Sequence, residues 1–179
     1  TLSTIMQSII DDKSFDASQG IIHHSEGVDL LPSNIELSGF EVRLINAMSR
    51  ERVLKTYVNE VKKNYDYVVI DCMPSLGMIT INALAAADSV LIPTQPHYLS
   101  AKGLELLLRS VSMVKRQINP KLRIDGILMT MVMPRTNISK EITATVKSAY
   151  GQKIKVFDTE IPHSIRAVEA TAEGKSIFA

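Results

Sequence analysis

The 179-residue sequence predicts an α/β fold with a mostly parallel sheet that is covered by helices on both faces. Short apolar runs of strand length alternate with longer segments in which apolar residues recur at helical spacing. The strand-length runs contain few polar residues, as expected where both faces of a sheet are buried. Hydrophobic residues make up 45% of the chain, which allows one substantial core and argues against disorder.

The N-terminal part predicts a helix, two short extended segments and two further helices. Residues 2–11 have helical apolar spacing, and "GIIHH" and "VDLLPS" are the extended candidates. The second of the later helices is predicted over Arg50–Asn64. Its apolar residues form one stripe, which predicts packing against a sheet: Val53, Tyr57, Val58 and Val61.

The rest of the chain alternates between strands and helices. The predicted strands are "YDYVVID", "SVLIPTQ", "RIDGILMTMV" and "IKVFDTEI". The predicted helices are "MITINALAAA", "AKGLELLLRSVSMVKRQI", "SKEITATVKSAYG" and "SIRAVEATAEG", the last two ended by Gly151 and Gly174. Ligands of such folds bind at the carboxyl ends of the strands, so the residues that leave each strand are the candidates for a site.

Composition narrows the class of protein. The net charge of +1 gives no strong indication of a nucleic-acid partner, and Cys72, the single cysteine, cannot form an internal disulfide. No apolar run reaches the roughly 18 residues needed to span a bilayer. We therefore expect a soluble cytoplasmic protein. Because the chain begins at Thr1 without an initiator methionine or a signal peptide, we expect residues 1–179 to be a single partial domain of a longer protein.

Asp71 is the leading candidate for a site residue. It follows the apolar run Tyr67–Ile70, so the pattern predicts a carboxylate at the tip of a buried strand. Such a carboxylate costs several kcal/mol unless a cation, hydrogen-bond donors or a metal ion lies nearby. In phosphate-binding α/β folds this partner is often a hydrated magnesium ion, the Walker B arrangement. The alternative is that Asp71 caps the following turn.

The phosphate-binding loop that should accompany a Walker B aspartate is missing from these residues. The only Gly-Lys-Ser is Gly174-Lys175-Ser176, and Glu169 stands where the pattern G-x-x-x-x-G-K-[ST] needs its first glycine. This segment also follows a helix instead of a strand, so its amides could not surround a phosphate. We interpret it as a helix C-terminus.

Three other patterns predict no site. His23-His24 lacks further metal ligands at suitable spacing, and a serine hydrolase would need a G-x-S-x-G elbow. The residues that could suggest such a hydrolase are Ser75, His97, His163 and Ser164. The alternating methionines at 129, 131 and 133 are more typical of core packing than of a ligand pocket.

Two arginines follow predicted strands. Arg135 comes directly after one strand and Arg166 opens the last helix, so both are expected near the same edge of the sheet. With Lys140 and Lys147 they could form a phosphate-contacting patch. The alternative, favoured on charge alone, is a solvated surface paired with Glu141 and Glu169.

Three long strings, taken together, carry a family resemblance. They are "YDYVVIDCMPSLGMITINALAAADSVLIPTQPHYLSAKGLELLL", "GILMTMVMPRTNISKEI" and "DTEIPHSIRAVEATAEGKSI", in this order. The combination resembles the ParA/Soj/MinD family of deviant-Walker P-loop ATPases and is most similar to the ParA (Soj) partitioning branch. The likeness covers residues 28–179, and "VDLLPSNIELSGFE" is similar to the family segment between the first switch and the Walker B strand.

The resemblance assigns roles to matching residues. It implies that Asp71 is the Walker B aspartate, which holds Mg²⁺ through water. It implies a second switch formed by Cys72, Met73, Pro74, Ser75 and Gly77. The family usually has two prolines where this chain has Met73-Pro74, which loosens the switch backbone.

The C-terminal strings imply two further groups of residues. Met131 and Pro162 match positions that line the adenine pocket, and Arg135 and Arg166 match arginines that bind DNA without sequence preference. Such contacts go to phosphates and are steeply salt-dependent.

The resemblance implies an ATPase of chromosome or plasmid segregation. Its expected properties are Mg-ATP-dependent homodimer formation, nonspecific binding to double-stranded DNA on the nucleoid, and slow ATP hydrolysis stimulated by a ParB-like centromere-binding protein. The Walker A lysine and the switch I aspartate of the family have no match, so we expect no catalytic residue in this chain. The fold is then truncated at both ends, and the isolated chain is expected to be inactive.

Two alternatives remain open. One is a MinD-like membrane-associated positioning ATPase, which would need an amphipathic C-terminal helix beyond the last residue of this chain. Arg135 and Arg166 favour the partitioning branch, so a membrane partner is not expected. The other is a non-enzymatic accessory module that kept the sheet without the nucleotide loop.

Overall fold

The computed structural model describes residues 1–73 and 75–177, which belong to two compact units. The first unit comprises Thr1–Asp88 with Ser110–Leu122. The second comprises Ser89–Arg109 and the chain from Arg123 onward. The single partial ATPase domain over 1–179 stays a prediction.

Most predicted elements are present. The α-helices are α1 Leu2–Ile10, α2 Glu36–Leu44, α3 Val53–Val61, α4 Met78–Ala86, α5 Tyr98–Gln117, α6 Asn137–Tyr150 and α7 Ile165–Glu173, with a 3₁₀ turn at Lys62–Asn64. The strands are β1 Ile22–His23, β2 Asp29–Leu30, β3 Ser89–Thr94 and β4 Arg123–Met129. The predicted α/β class with a parallel sheet and several helices is confirmed.

The core of the first unit is built by helices. The predicted stripe of α3 is buried, and it packs on α1 and α4. The prediction that this helix packs against a sheet was wrong. Among the described residues of this unit, the paired strands are β1 and β2, an antiparallel pair of two residues each. A pair this short offers too little apolar surface for a nine-residue helix, so other helices cover the stripe.

Asn82 is the polar centre of this helical core. Its side chain is fully buried, and its Oδ1 accepts a hydrogen bond from the Leu54 amide at 3.1 Å. Its Nδ2 donates to the carbonyl oxygens of Arg50, at 2.7 Å, and Met78, at 3.0 Å. The Leu54 amide lies in the first turn of α3 and has no partner within that helix. Asn82 therefore joins α4 to the start of α3.

A second polar cluster joins the β1–β2 pair to Tyr65. The Tyr65 hydroxyl donates to Asp29 Oδ2 at 2.7 Å, and His23 Nδ1 lies 2.6 Å from Asp29 Oδ1. The Tyr65 hydrogen bond, followed by that of His23, lowers the pKa of the Asp29 carboxyl. The cluster fixes the chain at the start of the predicted Walker B segment.

The predicted buried strand "YDYVVID" is not a strand in the structure. Tyr67 and Val69 are 88% and 89% exposed, and residues 67–72 have no regular secondary structure. A buried strand needs a neighbour that satisfies its backbone amides and carbonyls. No described residue forms a backbone–backbone hydrogen bond with residues 67–72. An apolar run predicts that a segment can form a buried strand, but the strand forms only where a neighbouring strand pairs with it.

The second unit contains the parallel sheet. β3 and β4 pair from Ser89 opposite Arg123 to Thr94 opposite Met129, with a bulge after Val90. The buried residues that pack around this pair come from β3, α5, β4, the β4 exit and α6: Ile92, Leu104, Ile127, Met129, Val132 and Val146. The sheet therefore ends at Thr94 and Met129, the positions from which its candidate site residues leave.

The predicted strand "IKVFDTEI" forms only isolated contacts with β4. Val156 pairs with Ile127, and Pro162 pairs with Val132, both in parallel. Between these bridges the Phe157 amide donates to the Ile127 carbonyl and the Ile161 amide donates to the Met129 carbonyl, whereas no backbone hydrogen bond to β4 is described for residues 158–160. A continuous strand was therefore the wrong prediction for this segment.

The C-terminus of α7 confirms our interpretation of Gly174-Lys175-Ser176. Gly174 has φ of 65° and ψ of 30°, the left-handed conformation that commonly ends helices. The Lys175 amide donates to the Ala170 carbonyl at 3.1 Å. This segment is a helix cap and not a phosphate-binding loop. None of the helices within residues 1–73 and 75–177 has the length and apolar character that crossing a bilayer requires.

Replacing Asn82 by alanine is expected to destabilise the first unit by about 3 kcal/mol. The change leaves the buried Leu54 amide and the Arg50 carbonyl without their side-chain partner. Urea denaturation followed by circular dichroism measures the effect. Asn64→Ala, at an exposed position, is the control and should change the unfolding midpoint little. An equal midpoint for both variants would contradict the role assigned to Asn82.

Candidate functional site

Asp71 stands on an exposed segment and not at the tip of a buried strand. Within residues 1–73 and 75–177, no side chain forms an ion pair with its carboxylate and no amide donates to it. The free-energy cost expected for a buried carboxylate is therefore absent. Among the described residues, no hydrogen bond of Asp71 supports the alternative that it caps the following turn. The carboxylate is free to take an external cation.

The donor chemistry at Asp71 suits magnesium. Mg²⁺ prefers oxygen ligands, keeps several waters and commonly binds through one or two carboxylates together with substrate phosphates. The described residues contain no group of three or more His, Cys, Asp or Glu side chains that could enclose a metal ion. Asp71 can therefore supply one ligand, directly or through water.

Cys72 lies directly beside this carboxylate. Its thiol donates a weak hydrogen bond to the Ile70 carbonyl, with sulfur and oxygen 3.6 Å apart. The pKa of the thiol is raised, first because nearby protein atoms partly desolvate the sulfur and second because the Asp71 carboxylate disfavours a neighbouring thiolate. The pKa of the Cys72 thiol thus depends in part on the charge of Asp71.

The predicted second switch leads directly into α4. The Ser75 amide donates to the Met73 carbonyl at 2.7 Å, and Thr80 Oγ1 donates to the Ser75 carbonyl at 2.6 Å. Gly77 is the residue that precedes α4, while Pro74 lies outside the described residues. Gly77 is thus continuous with a helix, and the switch itself stays a prediction.

Glu41 of α2 lies against this junction, although the sequence did not single it out. Its Oε1 accepts a hydrogen bond from the Ile79 amide at 3.2 Å. A single glutamate within a nine-residue helix carries no signal that could distinguish it from a solvated charge.

Met131 and Pro162 are brought close together by backbone pairing. The Val132 amide donates to the Ile161 carbonyl at 3.0 Å, and the His163 amide donates to the Val132 carbonyl at 3.0 Å. Of the two predicted adenine-pocket positions, Pro162 therefore forms a bridge with Val132 at the exit of β4, and Met131 directly precedes Val132. The prediction that the methionines pack in the core holds for Met129 but was wrong for Met131 and Met133, which are 43% and 42% exposed.

Met131 also has a strained backbone. Its φ of 52° is in the left-handed region, which is uncommon for a residue other than glycine. Gln95, which follows β3, donates from Nε2 to Met131 Sδ at 3.2 Å. Strain of this kind is often found at ligand sites. Gln95 carries no distinguishing signal in the sequence, because one amide after a strand is a common feature.

Arg135 and Arg166 are both exposed in the second unit. Arg135 lies in the turn before α6, and Arg166 lies in the first turn of α7. Neither forms an ion pair with a described residue, so the alternative of pairing with Glu141 and Glu169 is not observed in this part of the chain. Lys147 pairs with Glu160 instead, at 3.6 Å. Both guanidinium groups are free to contact an external anion.

Comparison with known proteins identifies the family. A family profile for an AAA domain matches residues 2–124. The chain is 45% identical to the sporulation initiation inhibitor protein Soj of Bacillus subtilis over 153 residues, 86% of this chain and 60% of that protein. It is 38% identical to the chromosome partitioning protein ParA of Myxococcus xanthus over 177 residues, 98% of this chain and 61% of that protein.

The chain belongs to the ParA/Soj/MinD family of P-loop ATPases. The fold agrees with this assignment. The structure resembles cobyrinic acid a,c-diamide synthase of Mycobacterium smegmatis with bound ADP and magnesium, at a TM-score of 0.80 and 34% identity, over 89% of this chain and 64% of that one. The chain thus spans about 60% of the length of the curated relatives described above.

Replacing Asp71 by asparagine is expected to speed the reaction of Cys72 with a thiol reagent at pH values below the pKa of the thiol. Removing the carboxylate lowers that pKa and so raises the thiolate fraction, which is the reactive form. Stopped-flow labelling with a disulfide reagent across pH 7 to 10 measures both the rate and its midpoint. Asp66→Asn is the matched control, and an unchanged midpoint in Asp71→Asn would contradict the electrostatic contact.

Proposed function

We propose that this chain is the Walker B and second-switch portion of a ParA-type partitioning ATPase that acts in chromosome or plasmid segregation. The observation that carries the proposal is the exposed and unpartnered carboxylate of Asp71, placed directly before residues 72–77 and α4. Membership of the family, and relatives named for partitioning, support it. An exposed carboxylate is suited to a transient ligand, because it pays little desolvation cost when that ligand leaves.

The residues of this chain then have separate tasks. Asp71 would hold a magnesium ion, directly or through water, and residues 72–77 would respond to the terminal phosphate. Met131 and Pro162, which lie at or beside one backbone bridge, contact the adenine. When bound, Mg²⁺ neutralises charge on the phosphates. The Walker A lysine and the switch I aspartate would have to come from another segment, since the 179 residues contain no G-x-x-x-x-G-K-[ST] loop.

The proposed activity includes partners. The ATP-bound protein forms a homodimer, and Arg135 and Arg166 hold it on DNA phosphates without reading sequence. A ParB-like centromere-binding protein stimulates slow hydrolysis, after which the dimer releases the DNA. The protein is then a cytoplasmic ATPase associated with the nucleoid. The absence of an ion-pair partner for either arginine within the described residues supports the DNA contact.

The chain alone is expected to bind Mg-ATP weakly, with a dissociation constant above about 1 mM. Asp71 can hold the metal, but no loop of backbone amides in the sequence surrounds the phosphates. Isothermal titration calorimetry with Mg-ATP measures this affinity. Micromolar binding by the 179-residue chain would contradict the assignment of phosphate binding to another segment.

Replacing Arg135 and Arg166 by alanine is expected to weaken duplex binding at least tenfold in a protein that joins this sequence to a Walker A segment. Each arginine contacts phosphate, so the loss should be equal for unrelated sequences and the salt dependence should become less steep. Fluorescence anisotropy with two unrelated duplexes at several salt concentrations measures both effects. Arg116→Ala, at an exposed arginine of the first unit, is the control. Unchanged affinity at low salt would contradict the DNA contact.

A further inference from the structure

The N-terminus of α4 receives its hydrogen-bond acceptor from another helix. Gly77, which precedes α4, has no side chain to cap it, and the first turn of α4 contains no acidic residue. Glu41 of α2 supplies the missing acceptor, because its Oε1 accepts from the Ile79 amide at 3.2 Å. The first amides of a helix have no partner within it and carry partial positive charge, so a carboxylate at this position stabilises the helix start.

Gly77 allows this close approach. A Cβ atom at position 77 would lie 2.9 Å from Cδ and 3.0 Å from Oε2 of Glu41, which is closer than side chains pack. Its φ of −76° and ψ of −177° are accessible to any residue, so backbone freedom does not require a glycine here. The requirement at this position is space for the Glu41 carboxylate, and the two residues form a complementary pair.

Glu41 is itself firmly placed. Its neighbour Phe40 and the nearby Leu44 are buried in the core of the first unit. Arg43, on the same helix, donates to Gln7 Oε1 of α1 at 2.9 Å. These contacts anchor α2, so the carboxylate is presented to α4 from a fixed helix.

The described residues next to this contact are exposed. Ser75 is exposed, and Met73 and Leu76 are each 45% exposed. The described hydrogen bonds that fix the end of this segment run through the start of α4, where Thr80 Oγ1 donates to the Ser75 carbonyl. The position of residues 75–77 therefore depends on the position of the first turn of α4.

We propose that Glu41 is a positioning residue for the second switch. By accepting from the Ile79 amide and filling the space beside Gly77, it holds residues 75–77 and the first turn of α4 in one conformation. Movement of the switch then requires the carboxylate to leave that amide. The proposal rests on the proposed function only in giving residues 72–77 the role of a switch.

Cys72 provides a direct test, because it is the only cysteine of the chain and lies at the start of the segment. The rate at which a disulfide reagent labels Cys72 is measured at one pH for the wild type, Glu41→Ala, Glu41→Gln and Gly77→Ala. Glu60→Gln is the matched control, since Glu60 is exposed on α3 and pairs with Lys63 at 3.1 Å. Near-ultraviolet circular dichroism selects the variants that keep the native fold.

Glu41→Ala is expected to label at least threefold faster than the wild type, because the α4 start is released. Glu41→Gln keeps an oxygen acceptor and should stay closer to the wild type than Glu41→Ala. Gly77→Ala should label faster because its Cβ displaces the carboxylate, and adding it to Glu41→Ala should produce no further increase. Glu60→Gln should not differ from the wild type.

Unchanged labelling in a folded Glu41→Ala variant, or additive effects of Glu41→Ala and Gly77→Ala, would overturn the proposal. If Glu41→Ala does not fold, Gly77→Ala alone decides: unchanged labelling in a folded Gly77→Ala variant would then overturn the proposal. The labelling needs no nucleotide, so its outcome is independent of the Mg-ATP titration. A faster rate in Glu41→Ala would therefore support the positioning contact even where the titration contradicts the proposed function.

Discussion

The buried amide of Asn82 is the constraint on which the first unit depends. It joins α4 to the first turn of α3, while its neighbours on α4 complete the helical core. A buried amide that satisfies groups on two elements tolerates little movement, because displacing it would leave several polar groups unpaired. The middle of the helix that follows the predicted second switch is thus tied to α3, while its first turn is contacted by Glu41.

The residues around Asp71 are exposed, unlike the buried helical core around Asn82. Asp71, Cys72 and Met73 are exposed, and no described residue pairs with the carboxylate. Exposure and few contacts are typical of the low-stability segments from which ligand-binding and switching elements are drawn. In the proposed switch, Asn82 joins α4 to α3, Glu41 contacts the start of α4, and the described residues of 71–76 are exposed. In the second unit, taken by itself, Met131 has a strained backbone beside the exit of β4.

Much of the fold could be predicted from the sequence because periodicity records which face of an element is buried. The stripe of α3 and the apolar runs of β3 and β4 are examples. The failure at Tyr67 and Val69 has a physical reason: an apolar run records a tendency to pair, whereas pairing also needs a neighbouring strand. The helix cap at Gly174 was predictable because a local rule decides it.

The candidate site was less predictable than the fold. The roles of the residues next to Asp71 could be predicted from the family resemblance, since the order of the three sequence strings is specific. Glu41 could not be predicted from the sequence, because its partners Gly77 and Ile79 lie 36 and 38 positions away and only the folded chain brings them together. Gln95 was missed for the same reason, since its contact with Met131 spans two strands.

We propose that this chain holds the Walker B half of a nucleotide site and needs a phosphate-binding loop to complete it. The most direct measurement is Mg-dependent ATP hydrolysis by a fusion in which the part of Bacillus subtilis Soj that precedes its match to this chain is joined to residue 1. We predict slow hydrolysis that requires magnesium and is lost in Asp71→Asn. A folded fusion that neither binds nor hydrolyses ATP, or one whose activity is unchanged by Asp71→Asn, would contradict the account.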